Sequence, residues 1–257
     1  MATSNPIFKN LEMPESSTDG FSQSVERATF GCVVYKTGVL LVIFTIGAAW
    51  GWAEVRSLLQ KDPAYGTPIF WVFAVSVLAG MALVWLTVRW KKWSPISAPV
   101  YAMLEGAVIG LLSAGYNRRY PGIVNQAVGL TVTICVCLLA AYGLGWIRVT
   151  AAFNRKLSVA ISGVVLYYLG SLGLLFMGVR RLPALTAGLP GIAVSVVIVA
   201  IAGMGLVSNL DAAVQCAHEK LPKYMEWYLA LGLIVKLVWM YIEVLRLLSR
   251  ARKAEGQ

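Results

Sequence analysis

Seven stretches of this chain run almost without charge: residues 37–54, 68–88, 97–115, 121–146, 157–179, 184–213 and 224–248. A bilayer hydrocarbon core about 30 Å thick is crossed by roughly 20 apolar residues in helical form. Lipid offers no partner to an open backbone, so each stretch is predicted to be a helix. The alternating pattern of a membrane-barrel strand is absent. The expected fold class is therefore all-α: a polytopic membrane protein with seven transmembrane helices. Seven spans in 257 residues leave only short connections. The expected organisation is a polar N-terminal tail over 1–35, a seven-helix membrane domain over 36–250 and a short basic C-terminal tail over 251–257.

Composition agrees. Apolar residues make up 58% of the chain and charged residues 13%, where a soluble domain carries about 25% charged. The net charge of +10 does not point to nucleic acid. The Lys and Arg residues cluster at the ends of apolar stretches, where they meet lipid headgroups. Four cysteines form no disulfide framework or metal spacing, and no C-x-x-C occurs. A single histidine, His218, offers no multi-histidine metal site. With no nucleophile–base pair in view, the chain is not expected to be an enzyme, and no cofactor is expected.

Span ends carry the usual anchors. The second span closes on Arg89, Lys91 and Lys92 with Trp90 and Trp93, and the seventh opens on Tyr224-Met225-Glu226-Trp227-Tyr228, an aromatic belt. In the third span Ala98, Ala102, Gly106 and Gly110 recur at i, i+4, a stripe that lets a neighbouring helix approach closely. Leu189-Pro190-Gly191 is expected to kink or delay the sixth helix. Basic residues divide almost evenly between the two sides and do not orient the chain. The long tail without an evident signal peptide gives the expectation of a cytoplasmic N-terminus.

Charge at mid-bilayer costs at least about 2.5 kcal/mol, so ionisable residues inside the spans are the candidate site. Glu105 sits near the middle of the third span, and Lys236 near the middle of the seventh. Lys236, Trp239, Glu243 and Arg246 share one stripe. Lys236 and Glu243 stand about 10 Å apart along the axis, too far to touch, whereas Glu243 and Arg246, at i, i+3, can pair directly. The expectation for Glu243–Arg246 is an interfacial pair. Lys236 is expected to face an inward partner, with Glu105 and Asp211 as the choices. Asp211 follows Ser208-Asn209-Leu210 at the end of the sixth span and sits across a short turn from the seventh. Asn125 and Gln126 read as interhelical hydrogen-bond residues, and Tyr167 and Tyr168 as packing.

Several segments carry a resemblance. They are Tyr101-Ala-Met-Leu-Glu105-Gly106, Tyr120-Pro-Gly-Ile-Val-Asn-Gln-Ala127, and Pro222-Lys-Tyr-Met-Glu-Trp-Tyr228 through Leu245-Arg246. They resemble the Bax inhibitor-1 family, most closely its bacterial subgroup with an extended N-terminal tail. Asn5-Pro6-Ile7-Phe8 and Lys36-Thr37-Gly38 fit that subgroup. The resemblance implies six helices around a central seventh in the cell's inner membrane, acting as a pH-sensitive calcium leak. It further implies a proton-sensitive aspartate pair, one at the end of helix six and one within helix seven, with an arginine latch at the end of helix two. Carried over by position, the helix-six carboxylate falls at Asp211 or, with a small shift, at Asn209. The helix-seven position falls at Lys236, and the latch at Arg89 or Lys91.

Lysine at the helix-seven position reverses the chemistry. Two close carboxylates raise one pKa by repulsion, whereas an aspartate and a lysine each stabilise the other's charge. A fixed cation also raises the barrier for Ca²⁺ in a path. Two functions follow from the resemblance. One is a proton-sensitive leak for Ca²⁺ or another cation. The other is a non-transporting regulatory protein that binds a membrane protease or quality-control partner.

Overall fold

The computed structural model describes residues 28–61, 66–177, 189–219, 221–254 and 256. It contains seven α-helices: α1 (Phe30–Lys61), α2 (Gly66–Arg89), α3 (Ser94–Arg119), α4 (Ile123–Gly143), α5 (Ala151–Phe176), α6 (Leu189–His218) and α7 (Tyr224–Ala254), with a short 3₁₀ turn, Lys91–Trp93, between α2 and α3. Among the described residues, five helices are long and apolar enough to cross a membrane, those containing Phe30–Glu54, Lys91–Arg119, Ile123–Gly143, Leu189–His218 and Tyr224–Ala254. The chain is a multi-pass membrane protein.

Among the described residues each apolar stretch maps to one helix, and most helices outrun their stretch at one end or both. α1 begins at Phe30, within the segment read as tail, and α7 continues to Ala254. Interfacial turns tolerate polar residues, so hydropathy underestimates length there. α4 is the reverse case. It stops at Gly143, because Leu144–Trp146 turn away and Gly145 takes a positive φ of 75°, which glycine adopts without strain. Pro190 lies in the first turn of α6, where a proline costs the helix no hydrogen bond. Residues 1–27 and 178–188, including the first part of the sixth predicted span, lie outside the described residues.

α7 is the centre. α1, α3, α4 and α6 pack directly on it, α2 leans on α3, and α5 leans on α6. Met225, Leu229, Leu233, Met240, Val244 and Leu245 of α7 are buried in one core with α4 and α6. Ala230, Leu231, Ile234 and Val238 are buried in another with Leu40 of α1 and Ala98, Tyr101, Ala102 and Ile109 of α3. Ser94 Oγ donates to the Tyr224 carbonyl and Ser113 Oγ pairs with Tyr241 Oη at 2.8 Å, so α3 runs parallel to α7.

The most extensive helix pair is α1 with α3. Its contact is backbone on backbone. A Cβ added at Gly47 or Gly51 of α1 would overlap the carbonyl oxygens of Met103 or Ala107. One added at Gly106 or Gly110 of α3 would overlap those of Phe44 or Ala48. The small-residue stripe of α3 thus meets a matching Gly-x-x-x-Gly on α1, the arrangement that permits close helix approach in lipid.

Candidate functional site

The α6–α7 interface runs antiparallel and is joined by polar side chains. Asn209 Nδ2 donates to the Gly232 carbonyl at 2.8 Å. One turn further along α7, the Lys236 stem lies over Gly205, where a Cβ would stand 3.4 Å from Lys236 Cδ. Near the far end, Arg250 Nη1 donates to the Gly191 carbonyl at 2.7 Å and to Ser195 Oγ. Glycines at 205 and 232 leave room for these side chains.

Lys236 is half-buried, its ammonium 5.1 Å from the Trp239 ring centroid. Among the described residues no carboxylate lies within ion-pair distance of it; the ion pairs described are Lys36–Glu226 and Glu243–Arg246. The expected pairing of Lys236 with Asp211 or Glu105 is therefore corrected. Asp211 faces α4: its Oδ1 accepts from Tyr142 Oη at 2.9 Å and its Oδ2 from Gln215 Nε2. Residues two apart on a helix point about 200° away from one another, so Asn209, which faces α7, excludes Asp211 from it. Of the two candidate positions for the helix-six group, Asn209 is the one that meets α7.

Glu105 is half-buried between α3 and α2, its Oε2 2.9 Å from where a Gly80 Cβ would stand. It is therefore on the α2 side of α3. Arg89 is exposed at the end of α2, and Lys91 lies with its ammonium 5.7 Å from the Tyr228 ring centroid. That aromatic residue belongs to the belt that opens α7.

Glu243 and Arg246 pair as spaced, at 2.9 Å, with Glu243 1% exposed and the Arg246 side chain 37% exposed. Tyr168 Oη donates to both Glu243 oxygens at 2.9 Å, and the Arg246 guanidinium lies 4.9 Å from the Tyr168 ring centroid. Tyr168, read as packing, thus joins α5 to the centre. Gln126 does tie helices, its Oε1 accepting from Arg252 Nη2 at 2.9 Å.

Sequence reasoning missed one cluster. Glu226, 1% exposed, forms an ion pair with Lys36 and accepts the Thr29 backbone N–H at 2.9 Å. The Lys36 ammonium also stands 5.1 Å from the Trp227 ring centroid. This clasp fixes the start of α1 to the start of α7. The available signal was a lone acidic residue inside an aromatic belt, with a lysine bordering the first apolar stretch. Among the described residues no group of three or more His, Cys, Asp or Glu side chains is placed to hold a metal ion.

The geometry is that of a tightly clasped bundle with one lysine at its core and no acidic pair between α6 and α7 among the described residues. A search of curated proteins returns no match. A family described as "Bax inhibitor 1 like" matches residues 5–253, and on that near-complete match the chain belongs to this family of membrane proteins.

Proposed function

We propose that the chain is a cation leak of the inner membrane, with its N-terminus in the cytoplasm, held closed at rest by its own lysine. The observation that carries this reading is Lys236, half-buried over Gly205 in the middle of the central helix, with no carboxylate at ion-pair distance among the described residues. Its ammonium takes the place a transported cation would occupy, and a fixed cation repels Ca²⁺ from the path. Proton sensitivity rests on Glu105 and Asp211, two carboxylates outside both described ion pairs.

Calcium-dye flux into proteoliposomes at neutral and acidic pH tests the reading. Wild type is expected to conduct little. Asn209→Asp with Lys236→Asp puts carboxylates on both sides of the α6–α7 interface, one turn apart, and is expected to conduct, with flux falling as acid protonates them. A silent double variant that is folded in the bilayer overturns the leak.

A second reading has its own support. Asp211 is turned to Tyr142 and the α6–α7 interface is closed by Asn209 on Gly232, which suits a non-transporting regulator that binds a membrane protease or quality-control partner. It takes the lead if the double variant stays silent.

A further inference from the structure

Trp239 is out of place for a membrane tryptophan. Such residues gather at the two water interfaces, and α7 has its belt at Tyr224-Met225-Glu226-Trp227-Tyr228. At about 1.5 Å per residue, Trp239 lies roughly 17 Å past Tyr228 along the helix. It packs against the core that α7 shares with α4 and α6. A helical side chain leans back over the turn before it, so the indole covers residue 236.

The Lys236 ammonium stands 5.1 Å from the Trp239 ring centroid. A ring face attracts a cation within about 6 Å, and indole does so best. From α6, Gly205 leaves room for the whole end of the stem: a Cβ there would stand 3.4 Å from Lys236 Cδ, 3.5 Å from Cε and 3.7 Å from Nζ. The Asn209 amide is directed to the Gly232 carbonyl instead, and among the described residues no carboxylate stands at ion-pair distance from the ammonium. Without a holder, a long lysine stem is free to turn its charged end out of the interface and towards water.

We propose that Trp239 is the positioning residue of the closing lysine: its indole face holds the Lys236 ammonium between α6 and α7. The inference rests on the leak reading for its effect on conduction, whereas the contact itself is measured without flux.

A double-mutant cycle of Lys236→Met and Trp239→Leu reads the contact in the full chain, unfolded reversibly in mixed micelles. Methionine keeps most of the stem and drops the charge. The packing lost with the indole is the same in both lysine backgrounds, so it cancels, and a coupling of about fivefold in the folding equilibrium is expected. Zero coupling overturns the proposal. Calcium-dye flux into proteoliposomes reads the consequence. Trp239→Leu is expected to raise the low wild-type rate several-fold, and Trp239→Phe, which keeps a ring face, to raise it less. A folded Trp239→Leu variant as tight as wild type overturns the proposal if the Asn209→Asp, Lys236→Asp variant conducts. If that variant is silent, the leak reading has failed on its own account, and the coupling still decides whether the ring holds the lysine.

Discussion

α1 meets α3, and α6 meets α7, through glycine in both cases, yet the glycines do opposite things. Between α1 and α3 they remove side chains so that backbones touch: Gly47, Gly51, Gly106 and Gly110 each face a carbonyl of the other helix. Between α6 and α7 they make sockets. Gly232 receives the Asn209 amide, and Gly205 receives the Lys236 stem. Gly80 of α2 does the same for Glu105. In lipid there is no hydrophobic force to drive helices together, so a contact must be made either by close backbone packing or by polar pairing. The first gives a fixed strut. The second gives an interface whose contents are flexible polar ends, and that is where a site can be housed.

Substitution of these glycines breaks or sharpens the contrast. The largest effect is expected for Gly110→Ala, where the new methyl meets the backbone of Ala48 and the helices must part. Overpacking of this kind costs about 3 kcal/mol, measured as lost stability in a reversible unfolding titration in mixed micelles. A tolerated alanine would mean that α1 and α3 are not in backbone contact. Next comes Asn209→Ala, which removes the amide from the Gly232 carbonyl and is expected to cost about 1 kcal/mol, the scale of an interhelical hydrogen bond in a membrane. Gly232→Ala should cost less, because its Cβ would stand 3.2 Å from a movable side-chain nitrogen. Its cost should vanish in the Asn209→Ala background, and a double-mutant cycle with no coupling would remove the socket. The smallest effect is expected for Gly205→Ala. Its Cβ would rest 3.4 Å from Lys236 Cδ, an ordinary contact with a flexible stem, while alanine favours the helix by up to about 1 kcal/mol. A small gain is expected, and a loss as large as that of Gly110→Ala would erase the distinction between the two interfaces.

The helices were legible because hydropathy and span length are local properties of the chain. So was the glycine stripe of α3, since its i, i+4 spacing is written in one segment. The Glu243–Arg246 pair was legible for the same reason. What the sequence did not reveal is which way a residue faces across helices. Asp211 was expected on α7 and lies on Tyr142, because two positions along a helix reverse the facing side and hydropathy does not report rotation. Tyr168 gave no sign of its hydrogen bonds to Glu243, 75 residues on. The Glu226–Lys36 clasp was hidden for the same reason, its members assigned to separate interfaces.

That clasp has a consequence for how the protein is made. Lys36 enters the membrane with α1, but its carboxylate lies 190 residues later, at the head of the last helix. At about 5–20 residues per second, a ribosome needs roughly 10–40 s to supply Glu226. Throughout that interval the lysine has no such counter-charge, and the start of α1 is unclasped. The clasp therefore closes only after the last helix has begun to emerge. A ribosome that stops before α7 releases six helices without the clasp, and leaves Lys36 near the start of α1 lacking its Glu226 partner.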